Sequence, residues 1–298
     1  AVVRSIYQEA NDALGYDIAK LSFEDPKDEI NYTRYTQPAL LTHSIACLKV
    51  FNDLSDKKIS PEMTGGHSLG EYSALVAAGA LDFSSAIQLV SERGRLMSEL
   101  GTGEMEALSI SLSEAQKISS EFFCGVCACN LPDQTVVGGQ KKDLDSMVKE
   151  INLRYPQKKT SRLKTEGAFH TFYMTNAALA FRDFLSDTPF STPHVEVLSN
   201  FSGGFHDPNP DRIRSSLFAQ LINPVLWNKN LLHAYNNGCQ KIIEFGGGIG
   251  KNPEPSGKKP NLASIVKKTF RRQENGPEYY SVISTESLTE LVNFFESS

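Results

Sequence analysis

The sequence predicts an α/β fold, because short apolar strand patterns alternate with amphipathic helical patterns along most of its 298 residues. Two features add detail. A glycine-bounded strand-to-helix turn surrounds Ser68, and residues 104–166 follow the order βαββαβ. That order is the ferredoxin-like plan. We therefore predict a large α/β subdomain of residues 1–103 and 167–298, with a small ferredoxin-like subdomain of residues 104–166 inserted into it.

The first part of the chain is predicted to be mainly helical. An apolar repeat from Val3 to Leu14 indicates the first helix, whereas residues 16–32 are charged and irregular. The second helix is expected to open at Thr36-Gln37-Pro38, since proline suits a first helical turn. A short strand near Met63 then leads into the turn at Ser68.

The inserted segment combines strands with two amphipathic helices. Its predicted strands are Glu104–Ile110, Gly125–Asn130, Gln134–Gly138 and Thr160–Lys164, and its predicted helices are Ser113–Phe122 and Lys142–Tyr155. Mixed α/β patterning returns afterwards, with strands at Val195–Ser199 and Lys241–Phe245 and helices at Ile213–Leu221, Leu231–Asn237 and Leu262–Arg272. Residues 252–261 contain three prolines and are expected to form a loop.

Composition narrows the class of function. A net charge of −5 gives no reason to expect nucleic-acid binding, and no apolar run approaches the roughly 20 residues of a membrane span. Nothing at the start resembles a signal peptide. The chain begins at Ala1 rather than Met, so we expect a trimmed or excised piece. A cytoplasmic or organelle-stromal location is expected.

The cysteines leave two interpretations open. Cys124 and Cys127 form a C-x-x-C pair, which could indicate redox or zinc chemistry. No second pair or suitably spaced histidines accompany them, and the surrounding residues have the pattern of a buried strand. Small apolar strand cysteines are therefore the favoured interpretation, and no bound metal or cofactor is expected.

Gly66-His67-Ser68-Leu69-Gly70 fits G-x-S-x-G, the turn that exposes a nucleophilic serine between a strand and a helix. The helical pattern after it would place Ser68 at a helix N-terminus, where free N–H groups favour developing negative charge. Such a motif also occurs by chance. The five residues by themselves therefore leave a nucleophile turn and a chance match both open.

Arg93 is the second informative residue. Asp82 is expected to cap a helix from Phe83 to about Leu100, and Arg93 falls on its apolar stripe. An arginine on a buried stripe needs an anion or another partner. An internal carboxylate, a side chain extending to the surface, and an anionic ligand all remain possible at this point.

Five segments then occur in one order along the chain: Gln37–Leu41, Gly66–Phe83, Arg93–Met97, Gly167–His170 and Gln220–Val225. Together they resemble the malonyl-CoA:acyl carrier protein transacylase family, which includes the acyltransferase domains of fatty-acid and polyketide synthases. The resemblance extends from residue 1 to about residue 250. It implies an α/β-hydrolase-like core with a ferredoxin-like insertion.

The resemblance implies a role for individual residues. Ser68 corresponds to the acyl-accepting nucleophile, and His170 corresponds to its general base. Arg93 corresponds to the arginine that binds the free carboxylate of a malonyl group. Gln220 corresponds to the residue whose backbone carbonyl orients the histidine, and the N–H of Leu69 corresponds to half of the oxyanion hole.

The same resemblance places Gln37 and Phe169 among the substrate-binding residues. Phenylalanine at 169 resembles the malonyl-selective pattern, in which a bulky ring leaves little room for a 2-methyl branch. The implied reaction moves a malonyl group from malonyl-CoA to the pantetheine thiol of an acyl carrier protein, through a malonyl-serine. Coenzyme A thioester is thus a substrate, and the pathway, fatty-acid or polyketide, stays open.

Two departures from the family pattern and two rival functions remain. The family's G-Q-G-x-Q loop, which supplies an oxyanion donor, would lie ahead of Ala1, and its G-P-G-x-x-L is replaced here by Gly246–Gly250. A serine thioesterase or acyl hydrolase is one rival function, and a non-catalytic docking domain is the other. An acidic carrier protein would need a basic patch, and two clusters are candidates: Lys158, Lys159, Arg162 and Lys164, or Lys267, Lys268, Arg271 and Arg272.

Overall fold

The computed structural model of the chain describes residues 1–56, 59–250 and 254–296 and has a mixed α/β fold. Its helices are α1 Val2–Leu14, α2 Ile18–Phe23, α3 Thr33–Leu54, α4 Gly70–Ala77, α5 Phe83–Leu100, α6 Leu112–Glu121, α7 Lys141–Arg154, α8 Thr175–Asp187, α9 Pro210–Ile222, α10 Trp227–Asn236, α11 Ala263–Thr269 and α12 Thr285–Glu296. Its strands are β1 Met63–Thr64, β2 Glu104–Leu108, β3 Gly125–Leu131, β4 Gln134–Gly139, β5 Thr160–Leu163, β6 Glu196–Ser199, β7 Gly204–Phe205, β8 Lys241–Phe245, β9 Gly248–Ile249, β10 Lys259–Pro260 and β11 Glu278–Val282.

The largest core cluster lies where α1, α3, α4, α5, α8 and α9 pack together. Tyr72, Leu75 and Phe181 are fully buried in it, as the helical spacing of their apolar neighbours requires. Glycine at 94 lets α5 approach the start of α3, because a Cβ there would lie 2.8 Å from the Thr33 carbonyl oxygen. This close packing brings the buried stripe of α5 beside the turn that precedes α4.

Residues 104–163 supply a separate four-stranded antiparallel sheet in the order β3-β4-β2-β5. Alternate residues face opposite cores, as the period of a strand requires. Leu108 and Val137 pack with α6 and α7, whereas Met105 and Val136 pack with Trp227 and other residues of the adjoining segment. Both faces of this sheet are therefore covered.

Parallel strand pairs place the ends of several segments next to each other. β1 pairs in parallel with β6, and β6 pairs antiparallel with β7. β8 pairs in parallel with β11 over five residues from each strand. The carboxyl ends of β1 and β6 thus lie together, and this edge of the sheet carries the residues from 65 to 71 and Asn200.

The N-terminal helices differ from the sequence-based expectation. Residues 16–32 are not wholly irregular, because they include α2. Asp17 caps this helix, and the helix buries Ile18 and Leu21. The expected start of the second helix at Thr36 was wrong. α3 begins at Thr33, whose N–H donates to the carboxylate of Glu166. Pro38 therefore lies inside the helix, where its missing N–H costs only one hydrogen bond near the helix start.

Several elements later in the chain also differ. The sequence analysis did not predict α8, β11 or α12. The basic helix expected over Leu262–Arg272 is shorter and covers Ala263–Thr269. In the expected loop over 252–261, β10 pairs with β9, while residues 252 and 253 lie outside the described residues.

The three cysteines of the C-x-x-C region lie at or in β3 and are buried. Burial raises the pKa of the Cys124 thiol to about 12, and burial also raises the pKa of Cys127 well above its usual range. Both thiols pack as small apolar groups, Cys124 in the core beside α6 and α7 and Cys127 in the core beside Trp227. Within the described part of the chain, no helix combines the length and apolar character that crossing a membrane demands.

Candidate active site

Ser68 lies in a tight turn between β1 and α4. Its backbone φ of +53° is in the left-handed region, which side chains with a Cβ disfavour. A Cβ at Gly66 would lie 2.0 Å from the carbonyl oxygen of Gly70, so the turn closes in this form only with glycine at 66. The Ser68 N–H donates to the side-chain oxygen of Asn200 at 2.6 Å, and the Asn200 amide donates to the Gly66 carbonyl at 2.8 Å. The strained turn is thus fastened to the segment after β6.

Ser68, His170 and Gln220 form a hydrogen-bonded series. The Ser68 Oγ is 2.7 Å from His170 Nε2, and His170 Nδ1 is 2.7 Å from the backbone oxygen of Gln220. Because a carbonyl oxygen only accepts, His170 Nδ1 carries the proton and Nε2 presents its lone pair to the serine hydroxyl. This tautomer can accept the Ser68 proton.

His170 is held in the neutral form. Its φ of +63° is in the left-handed region, and its side chain is buried. Burial, reinforced by the positive charge of Arg93, lowers the pKa of His170 to about 3, while the hydrogen bond to Gln220 acts in the opposite direction. A neutral imidazole at physiological pH is the form that a general base requires.

Arg93 lies beside the nucleophile and is only 1% exposed. Its Nη1 donates to the side-chain oxygen of Gln37 at 2.6 Å. Its Nη2 donates to the side-chain oxygen of Gln220 at 2.9 Å and to the Ser68 Oγ at 3.2 Å. The guanidinium carbon also lies 5.5 Å from the centre of the Tyr72 ring. Arg93, Gln37 and Gln220 thus meet at Ser68.

This environment decides between the alternatives that the sequence leaves open for Arg93. The side chain does not extend to the surface, and among the described residues no carboxylate lies within ion-pair distance of it. Burial accordingly lowers the pKa of Arg93. Neutral oxygens satisfy part of the guanidinium, while its buried Nε has no partner within the described chain. A buried cation that no carboxylate of the described residues contacts, beside a serine, is suited to an anionic ligand.

Leu69 and Phe169 complete the set of residues singled out by the sequence. Leu69 is the N-cap residue of α4, and its backbone N–H has no acceptor among the described residues. Such a free donor next to a nucleophile can stabilise an oxyanion. Phe169 is partly buried and packs against both the main helical core and the core beside the four-stranded sheet. It therefore lies at the junction of the two, next to His170.

The sequence profile of the acyl transferase domain matches residues 1–247 of this chain. The chain belongs to the acyl transferase domain family. The malonyl CoA-acyl carrier protein transacylase of Escherichia coli is 36% identical over 256 residues, which cover 83% of this chain and 81% of the relative. A Bacillus velezensis relative, the polyketide biosynthesis malonyl CoA-acyl carrier protein transacylase BaeC, is 32% identical over 255 residues, covering 82% and 85%.

A solved structure shares the fold of this acyl transferase domain with a TM-score of 0.87 and 29% identity, covering 98% of this chain and 91% of the matched chain. It is described as PlMCAT:AntF (holo), a type II PKS acyl-carrier protein in complex with its malonyl-transacylase. The mixed α/β fold agrees with this match. The matched family region, residues 1–247, includes every site residue described above.

Three residues that support the site were not assigned to it from the sequence. Asn200 holds the backbone on both sides of the nucleophile. Glu71 and His206 lie behind the turn, fully or almost fully buried, with His206 Nε2 2.6 Å from the Glu71 carboxylate. Glu71 could have been suspected, because its position in the helical pattern after Gly70 faces the core of the acyl transferase domain. Asn200 and His206 give no such signal.

His67, the neighbour of Ser68 in the turn, has a hydrogen-bond partner and a ring contact. His67 Nε2 is 2.9 Å from the side-chain oxygen of Asn130, and the His67 ring meets Trp227 edge to face. Among the described residues of the acyl transferase domain, no group of three or more His, Cys, Asp or Glu side chains is arranged to hold a metal ion. The groups that meet at the site are a serine hydroxyl, a neutral imidazole and a guanidinium.

The nucleophile turn should tolerate alanine at only one of its two glycines. Gly66→Ala would force a Cβ to within 2.0 Å of the Gly70 oxygen, whereas a Cβ at Gly70 meets no atom within 4 Å. Thermal unfolding should show Gly66→Ala destabilised by about 2–4 kcal/mol or not folded at all, in the range of overpacking and backbone strain. Gly70→Ala, the matched control, should unfold at or near the wild-type temperature. Equal stability of the two variants would contradict this account of the turn.

Proposed function

We propose that this acyl transferase domain moves a malonyl group from malonyl-CoA to the pantetheine thiol of an acyl carrier protein, with Ser68 as the transient acceptor. The observation that carries the proposal is Arg93, a buried guanidinium without a carboxylate partner among the described residues, 3.2 Å from the Ser68 Oγ. In a malonyl thioester one methylene separates the free carboxylate from the reacting carbonyl. A cation within a few ångströms of the nucleophile suits so short a diacid.

In the first half-reaction, the Ser68 Oγ attacks the thioester carbonyl carbon while His170 Nε2 accepts the hydroxyl proton. The 2.7 Å separation of these atoms is within the range that proton transfer requires. The tetrahedral intermediate then expels coenzyme A as its thiolate, which takes the proton from His170. The products are malonyl-Ser68 and the free thiol of coenzyme A. General-base assistance of this type typically contributes about 10²–10⁴-fold.

In the second half-reaction, the pantetheine thiol of the carrier protein attacks the malonyl ester. His170 takes the thiol proton and returns it to the Ser68 Oγ as the ester bond breaks, so both groups regain their starting form. The N–H of Leu69 is proposed as one donor to the oxyanion in each step, and such a donor is worth roughly 2.7–4 kcal/mol. Arg93 binds the malonyl carboxylate throughout, with Gln37 and Gln220 holding its guanidinium.

We also propose the finer architecture that the sequence predicted. The strand order β3-β4-β2-β5, with one helix after β2 and one after β4, agrees with a ferredoxin-like subdomain of residues 104–166. The remainder, residues 1–103 and 167–298, is proposed as an α/β-hydrolase-like core, supported by the strand–turn–helix that carries Ser68. Five free thiols favour a reducing cytoplasmic compartment.

Two observations bear on the carrier protein. The name of the PlMCAT:AntF structure supports an acyl-carrier protein as the partner of such a fold. Of the two candidate basic clusters, the one near the four-stranded sheet is less suited to binding an acidic carrier protein, because its arginine is already paired with carboxylates. Arg162 is bound by Glu104, by Glu106 at 2.6 Å and by Asp145 at 2.7 Å. The cluster of Lys267, Lys268, Arg271 and Arg272 is the one we favour for docking.

The rival functions make different predictions for one experiment. The chain is mixed with malonyl-CoA, and the intact protein is weighed by mass spectrometry over time. Transfer predicts a lasting malonyl adduct that maps to Ser68 and is discharged by a carrier protein. A hydrolase would release malonate rapidly, and a docking domain would show no adduct. Ser68→Ala should remain unlabelled.

Arg93→Ala should lower the rate of this acylation by about 10²-fold or more, because a buried charge-assisted pair with the substrate is lost. Arg95→Ala is the matched control, since Arg95 lies on the same helix but forms its ion pairs with Glu92 and Glu99 at the surface. The control should acylate at the wild-type rate. Equal rates for the two variants would remove the argument for a dicarboxylic substrate.

Phe169 is proposed to limit the size of the acyl group. Replacing it with serine opens space beside His170 and should raise the rate of methylmalonyl transfer relative to malonyl transfer by about 10-fold, the value of a methyl-sized difference in an apolar pocket. Competition between the two coenzyme A thioesters measures this ratio directly. Comparable use of both thioesters by the wild-type chain would refute the proposed role.

The low pKa of His170 predicts an unusual pH dependence. A neutral fluorophosphonate probe, which has no group titrating in this range, should label Ser68 at a constant rate as pH falls through 6.5, and the rate should fall only well below that value. Arg93→Ala removes a positive charge, so the pKa of His170 rises and the acid limb of the profile moves to higher pH. An acid limb near pH 6.5 in the wild-type chain would contradict the prediction.

The same shift has a consequence for stability. Below pH 6.5 the unfolded chain protonates this histidine while the folded chain does not, so the free energy of unfolding falls as pH is lowered from about 6.5 towards 3. The probe experiment is therefore run only where circular dichroism shows the fold to be intact.

A further inference from the structure

Glu71 is a fully buried carboxylate directly behind the nucleophile turn. One of its oxygens, Oε1, accepts from His206 Nε2 at 2.6 Å. The other, Oε2, accepts from the Asn200 backbone N–H at 3.0 Å and from the Gln220 side-chain amide at 2.9 Å. Glu71 has no part in the proposed reaction steps. Burying a carboxylate is costly, and the three donors around Glu71 offset that cost. We therefore asked what the buried carboxylate does for the groups that donate to it.

The contact with Gln220 has a directional consequence. A carboxylate only accepts hydrogen bonds, so Gln220 must turn its NH₂ group towards Glu71. The same NH₂ group donates to the Ser68 carbonyl at 2.9 Å. The opposite end of the amide, Oε1, then faces Arg93 and accepts from its Nη2 at 2.9 Å. Glu71 thereby selects one of the two orientations of the Gln220 amide.

The other orientation would be unfavourable at both ends. Turning the amide over would place the Gln220 oxygen against the Glu71 carboxylate and the Ser68 carbonyl, which are all acceptors. Its NH₂ group would meet Arg93 Nη2, which is a donor. Arg93 would lose one of its neutral oxygen partners beside Ser68. The orientation of one buried amide therefore helps to hold the guanidinium in its place beside Ser68.

We propose that Glu71, held by His206, is a positioning residue that orients the Gln220 amide and through it fixes Arg93 for the substrate carboxylate. The inference rests on the proposed function, because it assumes that Arg93 binds a carboxylate on the acyl group. Glu71 itself touches no reacting atom.

His206 supports this arrangement from the far side. It lies on the segment after β7 and is 6% exposed, and its Nε2 contacts Glu71. Its Nδ1 is buried without a partner among the described residues, so its ring makes its polar contact through Nε2 with Glu71. Without His206, Glu71 Oε1 would have no donor from the described residues. His206 thus stabilises the buried acceptor on which Gln220 depends.

The test compares two reactions of Ser68. Acylation by malonyl-CoA needs Arg93 to bind the free carboxylate, whereas a neutral fluorophosphonate probe reacts with Ser68 and His170 and offers Arg93 no carboxylate to bind. Glu71→Met and Gln220→Met should each lower malonyl acylation relative to probe labelling by about 10- to 100-fold, the cost of misplacing a positioning group. Gln220→Met keeps the backbone carbonyl that holds His170. In the double variant, malonyl acylation relative to probe labelling should fall no further than in either single variant, because both substitutions act through the same amide.

Two further variants separate positioning from general stability. Glu244→Met is the control, because it removes a different carboxylate, which is partly buried and accepts from Tyr279 and the Leu262 N–H. It should leave the ratio of malonyl acylation to probe labelling unchanged. Glu71→Gln should keep the wild-type ratio of the two rates. The new side chain keeps an acceptor oxygen towards Gln220, and His206 can change tautomer so that its Nε2 accepts from the new amide. This conservative variant also provides a folded protein if Glu71→Met does not fold.

Each outcome is decisive. A parallel loss of both reactions in Glu71→Met, in proportion to the unfolded fraction, would make Glu71 a structural residue only. Additive losses in the double variant, or an unchanged ratio in Gln220→Met, would overturn the route through the amide. A wild-type chain that reacts with the probe but forms no malonyl adduct would instead refute the proposed function.

Discussion

The burial of Arg93 without a carboxylate partner among the described residues is the constraint on which the site depends. A guanidinium in the core must be satisfied by the groups around it, and here those groups are the side-chain oxygens of Gln37 and Gln220 and the hydroxyl of Ser68. Neutral oxygens direct the cation, and no carboxylate of the described residues contacts it. Its charge remains available to a ligand, and the same charge helps to keep the base His170 unprotonated. In the reaction proposed above, binding of the acyl carboxylate and proton transfer are therefore coupled through one side chain.

The two residues beside that guanidinium, Ser68 and His170, are held in place by contacts of their own. Ser68 and His170 both adopt left-handed backbone conformations, which persist only where neighbouring contacts enforce them. For Ser68 the contacts come from Asn200 and from glycine at 66, whose missing Cβ lets the turn close. For His170 the backbone oxygen of Gln220 holds the ring. Strain at the two reacting residues is thus offset by hydrogen bonds from segments far away in the chain.

Much of the fold could be predicted because local patterning and tertiary burial agree. The capped helix from Phe83 to Leu100 and the βαββαβ order of the small sheet both follow from apolar periodicity; the helix was found at the expected bounds, and the small sheet with small errors at the ends of its strands. The helix that begins at Thr33 was misplaced because its N-terminus is capped by Glu166, a residue more than a hundred positions away. A cap of this kind leaves no local pattern.

By itself the sequence determined the glycine-bounded turn at Ser68, the place of Arg93 on the apolar stripe of its helix and, through an ordered set of motifs, the resemblance to an acyl transferase. Those features depend on nearest neighbours and on helical spacing, which one chain displays directly. Only the tertiary structure decided that Arg93 faces amide oxygens rather than a carboxylate, and that Glu71, His206 and Asn200 stand behind Ser68. The reason is physical. Hydrogen-bond partners brought together by folding are chosen by orientation and distance, and neither quantity is written in the order of residues.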